Sequence, residues 1–141
     1  MLISPKIWRS VFKPRLKEII SEVRRKDVFF FLHSDGNIEE LIPDIIKIGI
    51  NILNPIQPEC MNPEEIKRRY GQRLVLHGTM SMQKTFALGT LIDVIDEVKS
   101  RIEKCGQDGG LILAPSNLFT EDIPIENIIG FYDFVKSFKL Y

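Results

Sequence analysis

The stretch Val28-Phe29-Phe30-Phe31-Leu32-His33-Ser34-Asp35-Gly36-Asn37 decides the fold. Its first five residues are apolar on both faces, as in a strand buried within a parallel sheet. The chain then turns polar at once, and Gly36 suits a turn with positive φ. Asn37 followed by Glu40 has the form of a capping box. Ile38, Leu41, Ile42, Ile45 and Ile48 next mark one face of a helix. Pro43 falls inside that helix, which predicts a short first turn and a fresh start, or a kink. Gly49 stops it. Strand, polar loop and amphipathic helix together make one unit of an α/β fold.

Working outward, the same unit recurs three times. Ile50 to Leu53 reads as a second strand, and Asn62-Pro63-Glu64-Glu65 opens a helix that Gly71 ends. Leu74-Val75-Leu76 reads as a third strand. Thr90-Leu91-Ile92-Asp93 starts its helix, with an expected apolar stripe of Ile92, Ile95, Val98 and Ile102. Leu111 to Ala114 is the fourth strand, entered through Gly109-Gly110. Pro124 and Glu126 start the last helix, whose aromatic face at Phe131, Phe134 and Phe138 is most simply core packing. Upstream, Ser4 caps a helix with Pro5 at its first position, and Ile7, Trp8, Val11 and Phe12 share one face. Pro14 is expected to restart a second helix carrying Leu16, Ile19, Ile20 and Val23. Strands alternating with helices predict a parallel sheet with right-handed crossovers.

Composition narrows the function. Hydrophobic residues make up 44% and charged residues 27%, ordinary for a soluble globular chain. Lys+Arg and Asp+Glu number 19 each, so no basic surplus exists to neutralise a phosphate backbone, and nucleic acid is not an expected partner. No apolar run is long enough to span a bilayer. Met1 to Pro5 lacks the charged start and long apolar stretch of a signal peptide. Cys60 and Cys105 show no metal-ligand spacing, and Cys60 has no evident local base, so it is read as inert. The expected compartment is the cytoplasm, with no membrane partner.

In parallel α/β sheets ligands bind beyond the C-terminal ends of the strands. The polar residues fall there: His33, Asp35 and Gly36 after the first strand, Asn54, Gln57 and Glu59 after the second, His77 after the third, and Asn117 after the fourth. These are the expected ligand-facing residues. Residues two apart on an extended segment project to one side, so His33 and Asp35 can face a common mouth. The competing reading is a structural turn, with Asp35 bonding backbone amides. His77 equally reads as a histidine bonded to nearby backbone. Asn117 can orient a carboxylate but cannot act as a general acid or base.

Several segments together resemble the uroporphyrinogen decarboxylase superfamily. "SPKIWRSVFKPRLKEII" is similar to the helix after its fourth barrel strand. "HSDGN", "LNPIQPE", "HGTM", "GGLILAPS" and "PIENI" follow in the order of its fifth to eighth strand–helix units. The resemblance implies the C-terminal half of an eight-stranded (β/α)8 TIM barrel, four parallel strands with crossover helices, as a single partial domain over residues 1–141. It also implies one of two activities. A decarboxylase removes acetate carboxylates from a tetrapyrrole without a cofactor. A methyltransferase uses zinc and a corrinoid protein partner, with His33 and Asp35 as the ligands to the metal. The methyltransferases carry His-x-Cys where this chain has His33-Ser34-Asp35. The last loop offers Asn117 where a histidine or cysteine is usual, and Ser81 stands where the decarboxylase has an aspartate.

A complete barrel has eight strands. A half therefore has two raw edges. The expectation is completion by a separate first-half polypeptide, pairing of two copies as a homodimer, or a remnant without activity of its own.

Overall fold

The structure, a computed structural model, describes residues 3–23 and 28–137. Four parallel strands, β1 (Phe31–His33), β2 (Ile52–Asn54), β3 (Val75–His77) and β4 (Leu111–Ile112), lie side by side in chain order. Each strand is joined to the next through helix: α3 (Ile42–Ile48), α4 (Pro63–Tyr70) and α5 (Leu91–Arg101). The helices α1 (Pro5–Ile7) and α2 (Lys13–Val23) precede the sheet, and α6 (Ile125–Ser137) follows it. The sheet does not close, so the molecule is an α/β half-barrel.

Register divides the strand residues into two faces. Leu32 lies beside Leu53, Leu53 beside Leu76, and Leu76 beside Leu111. This row faces the helices, and Leu53 and Leu76 are fully buried. The alternate residues point to the concave side, where a closed barrel would have its interior. Phe31 is 50% exposed there and Ile112 41%. The core lies between sheet and helices, built from Ile42, Ile45, Ile66 and Leu74 in one cluster and Phe86, Val94, Val98 and Phe131 in another.

The first three strands start one to three residues later and end one residue later than the apolar runs suggest, while β4 starts at Leu111 as expected and ends two residues early. The reason is visible at β1, where the Asn51 side chain accepts from the Phe30 N–H at 3.0 Å in place of a ladder bond. As a result His33 and His77 are the last residues of their strands, held in the sheet.

Three local expectations are corrected. Pro14 does not restart a helix: α1 runs into α2 through a widened π turn, Trp8–Phe12. That turn shifts the hydrogen-bond register just before a residue that has no N–H to donate. Trp8 is buried, whereas Ile7 and Val11, expected on the same face, are exposed. The Asn37–Glu40 capping box does not form. Asn37 accepts from the Glu39 N–H at 3.1 Å, a 3-10 turn spans Glu39–Leu41, and Glu40 pairs with Arg9 instead. Pro43 then sits in the first turn of α3, and Gly49 closes that helix at φ 102°. On α5 the buried residues are Val94 and Val98, and Ile92 is 70% exposed. Thr90 and Asp93 form a reciprocal capping box, which sets that rotation. Phe138, expected on the aromatic face of the last helix, lies outside the described residues.

Candidate functional site

A chain of side chains crosses the strand ends. His33 Nδ1 lies 2.6 Å from Asn54 Oδ1, and Asn54 Nδ2 lies 2.7 Å from His77 Nδ1. His33 and Asn54 are register partners on neighbouring strands, and His77 ends the third strand. The parallel register therefore brings together residues 21 and 23 apart in sequence. Asn54 is buried, and both imidazoles are partly open to the concave side.

The chain extends at the His33 end. His33 Nε2 faces Asp35 Oδ2 at 3.3 Å, and Asn117 Nδ2 donates to Asp35 Oδ1 at 3.5 Å. Asn117 reaches across from the loop after β4, so Asp35 and Asn117 link the first and last strand ends over the mouth. The Gly36 N–H, in a residue at φ 80°, donates to Gln57 Oε1 at 3.3 Å, tying the first loop to the second. Gly36 makes the turn, while Asp35 pairs with an imidazole rather than with backbone amides.

His77 is bonded to the Asn54 side chain, not to nearby backbone. The ring of Phe31 stands against it, and burial lowers the His77 pKa below the ordinary 6.5. Gly78, at φ 70°, leaves the room that Asn54 occupies: a Cβ there would lie 2.6 Å from Asn54 Nδ2.

Glu59 lies apart from this chain. Its Oε1 accepts from the Ser81 hydroxyl at 2.5 Å and from the Gln83 N–H at 3.3 Å. The Ser81 hydroxyl accepts in turn from the N–H groups of Lys84 and Thr85, capping the π turn Met82–Phe86. Glu97 accepts from the Ser81 N–H and pairs with Arg101 at 3.1 Å. Ser81 and Glu59 thus hold the loop after β3 in place. The support from Glu97 and Arg101 is not legible in the sequence, since both read as the polar face of a helix. Cys60 is half-buried, and burial raises the pKa of the Cys105 thiol.

Two clefts flank the chain. One, of about 460 Å3, runs beside β1 beneath α1 and α2, with His33 and Asp35 at one end and Trp8, Phe12 and Leu16 along its wall. The other, of about 580 Å3, lies over the ends of β3 and β4 and includes Gln57, Met82, Ser116 and Asn117.

Chemically, the arrangement can bind acceptor oxygens and hold a proton between Asp35 and His33. It does not fit zinc by itself. A catalytic zinc takes three protein ligands, whereas His33 and Asp35 supply two, and His33 Nδ1 is committed to Asn54. Among the described residues no group of three or more His, Cys, Asp or Glu is placed to hold a metal ion. No described helix is long and apolar enough to cross a membrane.

Comparison with curated proteins found no match. The family model for uroporphyrinogen decarboxylase (URO-D) matches residues 1–138, and the half-barrel with its polar strand ends is a part of that fold: the chain belongs to the uroporphyrinogen decarboxylase family.

Proposed function

We propose that this chain supplies the C-terminal part of a tetrapyrrole decarboxylase-type site and binds a carboxylate-bearing tetrapyrrole across its strand ends. The observation that carries this reading is the hydrogen-bonded chain Asn117–Asp35–His33–Asn54–His77 on the concave side. Imidazole N–H groups suit carboxylate oxygens, and the apolar wall of Trp8, Phe12 and Leu16 suits the flank of a macrocycle. Loss of a carboxylate as carbon dioxide leaves a carbanion that must take up a proton. His33, with Asp35 beside it, is the group on this chain that can deliver one.

Titration of the protein with a fluorescent porphyrin bearing the same carboxylate side chains tests the reading. Binding should weaken about tenfold or more in His33→Ala and in His77→Ala, since a hydrogen bond to a charged group contributes about 1.5–3 kcal/mol. Unchanged affinity in both variants, or no binding by the parent protein, would sink it.

A second reading has its own support. Phe29 is 79% exposed and Phe31 50%, at a strand edge with no neighbour among the described residues. Such a surface fits a chain whose role is to complete another polypeptide. This reading expects no turnover by the chain alone and activity on mixing with a first-half partner. Turnover by the chain alone counts against it.

A further inference from the structure

The geometry points to Asn54 as a positioning residue that holds the Nδ1 atoms of His33 and His77 in opposite protonation states, so that His77 presents an Nε2–H donor to the concave side. The inference deepens the proposed carboxylate-binding site and rests on that reading for its purpose, though not for its geometry.

The Asn54 amide has a fixed role at each of its two polar ends. Its oxygen only accepts and its nitrogen only donates. Asn54 touches both histidines through the same ring atom, Nδ1, at 2.6 Å and 2.7 Å. One Nδ1 must therefore carry a proton and the other must be bare. Two like states would leave either two N–H groups facing each other or two lone pairs facing each other. At a buried residue either clash removes a hydrogen bond that water cannot replace.

The orientation of the amide then assigns the states. Asn54 Oδ1 faces His33, so His33 Nδ1 carries the proton, and Asn54 Nδ2 faces His77, so His77 Nδ1 is bare. The surroundings agree. A second proton on His33 would meet the Asp35 carboxylate at 3.3 Å. A second proton on His77 would meet no paired carboxylate among the described residues, and burial already disfavours it. A neutral His77 with a bare Nδ1 carries its one proton on Nε2. That atom has no hydrogen-bond partner among the described residues, which leaves it for a ligand oxygen.

Gly78 belongs to the same device. Its missing Cβ leaves the space for the Asn54 amide nitrogen, so the amide stays in line with both rings. The chemical consequence is a choice of ligand. A donor at His77 selects an acceptor such as a carboxylate oxygen, whereas the other tautomer would present a lone pair and repel one.

Imidazole 15N resonances of the ligand-free protein test this at about pH 8, above the ordinary histidine range. In the parent protein His77 should show a pyridine-type Nδ1 and a pyrrole-type Nε2, and His33 a pyrrole-type Nδ1. In Asn54→Asp the carboxylate accepts from both rings, so His77 should switch to a pyrrole-type Nδ1 while His33 keeps its own. The same Nδ1 state at both histidines of the parent protein overturns the inference, as does the mirror-image assignment. If Asn54→Asp fails to fold, the parent spectrum alone still decides between these outcomes. Because no ligand is present, failure of porphyrin binding leaves this result standing, and the two readings fail separately.

Discussion

Phe31 stands edge-on to His77, with ring centroids 5.2 Å apart and planes at 80°. The two residues share the concave side of the sheet, two strands apart, and the phenyl edge helps to keep water from the imidazole. Phe31→Ala should therefore bring the His77 titration closer to the ordinary 6.5. A histidine with a depressed folded value takes up protons more readily when unfolded. Stability then rises with pH between the folded value and 6.5, and is lost as pH falls through that window. Removing Phe31 should flatten that slope. The added loss of stability should be only about 1 kcal/mol, because Phe31 is half exposed. An NMR titration of His77 beside urea unfolding at several pH values checks both effects.

Gly78→Ala should damage the site and the fold together. An L-residue at φ 70° is strained by about 1–2 kcal/mol, and its Cβ would lie 3.2 Å from Pro115 O as well as against Asn54. We expect a stability loss of at least that size, with the two histidines no longer showing opposed Nδ1 states. A variant that keeps the parent imidazole spectrum would mean that Asn54 is held by other contacts.

Asn127 ties the final helix to the loop before α5. It is 1% exposed, and its amide donates to the carbonyls of Phe86 at 3.0 Å and Gly89 at 2.9 Å. Asn127→Ala leaves two carbonyls without their partner in a buried place. The expected cost is about 2 kcal/mol in chemical unfolding, with the ring resonances of Phe86 and Phe131 perturbed. A loss below the error of the measurement would contradict this account.

Asp44 fixes the N-terminal helix to α3. Its carboxylate accepts from Lys13 Nζ at 2.5 Å and from Arg9 Nε at 2.7 Å. Lys13 first, then Arg9, hold the Asp44 pKa below the ordinary 3.8. The sign follows from that depression. The contribution is present above about 3.8 and disappears as pH falls through the lower folded value. Asp44→Asn should be less stable than the parent near neutrality, and the difference should close in acid. Denaturation curves across the acid range would expose a gap that persists there, contrary to expectation.

The order of strands and helices was legible because each strand is a short apolar run and α1, α4 and α5 begin with a side-chain cap. Asn62 and Thr90 behave as their sequence context predicts. The strand-end rule also located His33, Asp35, Asn54 and His77. What it did not supply was their connection. The Asn54 bridge depends on parallel register, which a single strand's residues do not encode. The Glu59–Ser81 contact was not legible either, because Ser81 caps a turn whose π geometry has no periodic signature. Ile92 was assigned to the core because apolar spacing alone does not fix a helix's rotation. The Thr90–Asp93 cap and the burial of Val94 do.

Along the strand tips the run of His33, Asn54 and His77 gives way to Ile112, which lies beside His77 on the fourth strand. The row of strand-end side chains is thus two-toned, with nitrogen and oxygen on three strands and hydrocarbon on the last. On the proposed reading, a flat guest with acid groups on one border would have a single favourable heading along this row, set by wetting before any bond is broken. Turned end for end, it would press its charges against Ile112 and offer its oily margin to the imidazoles.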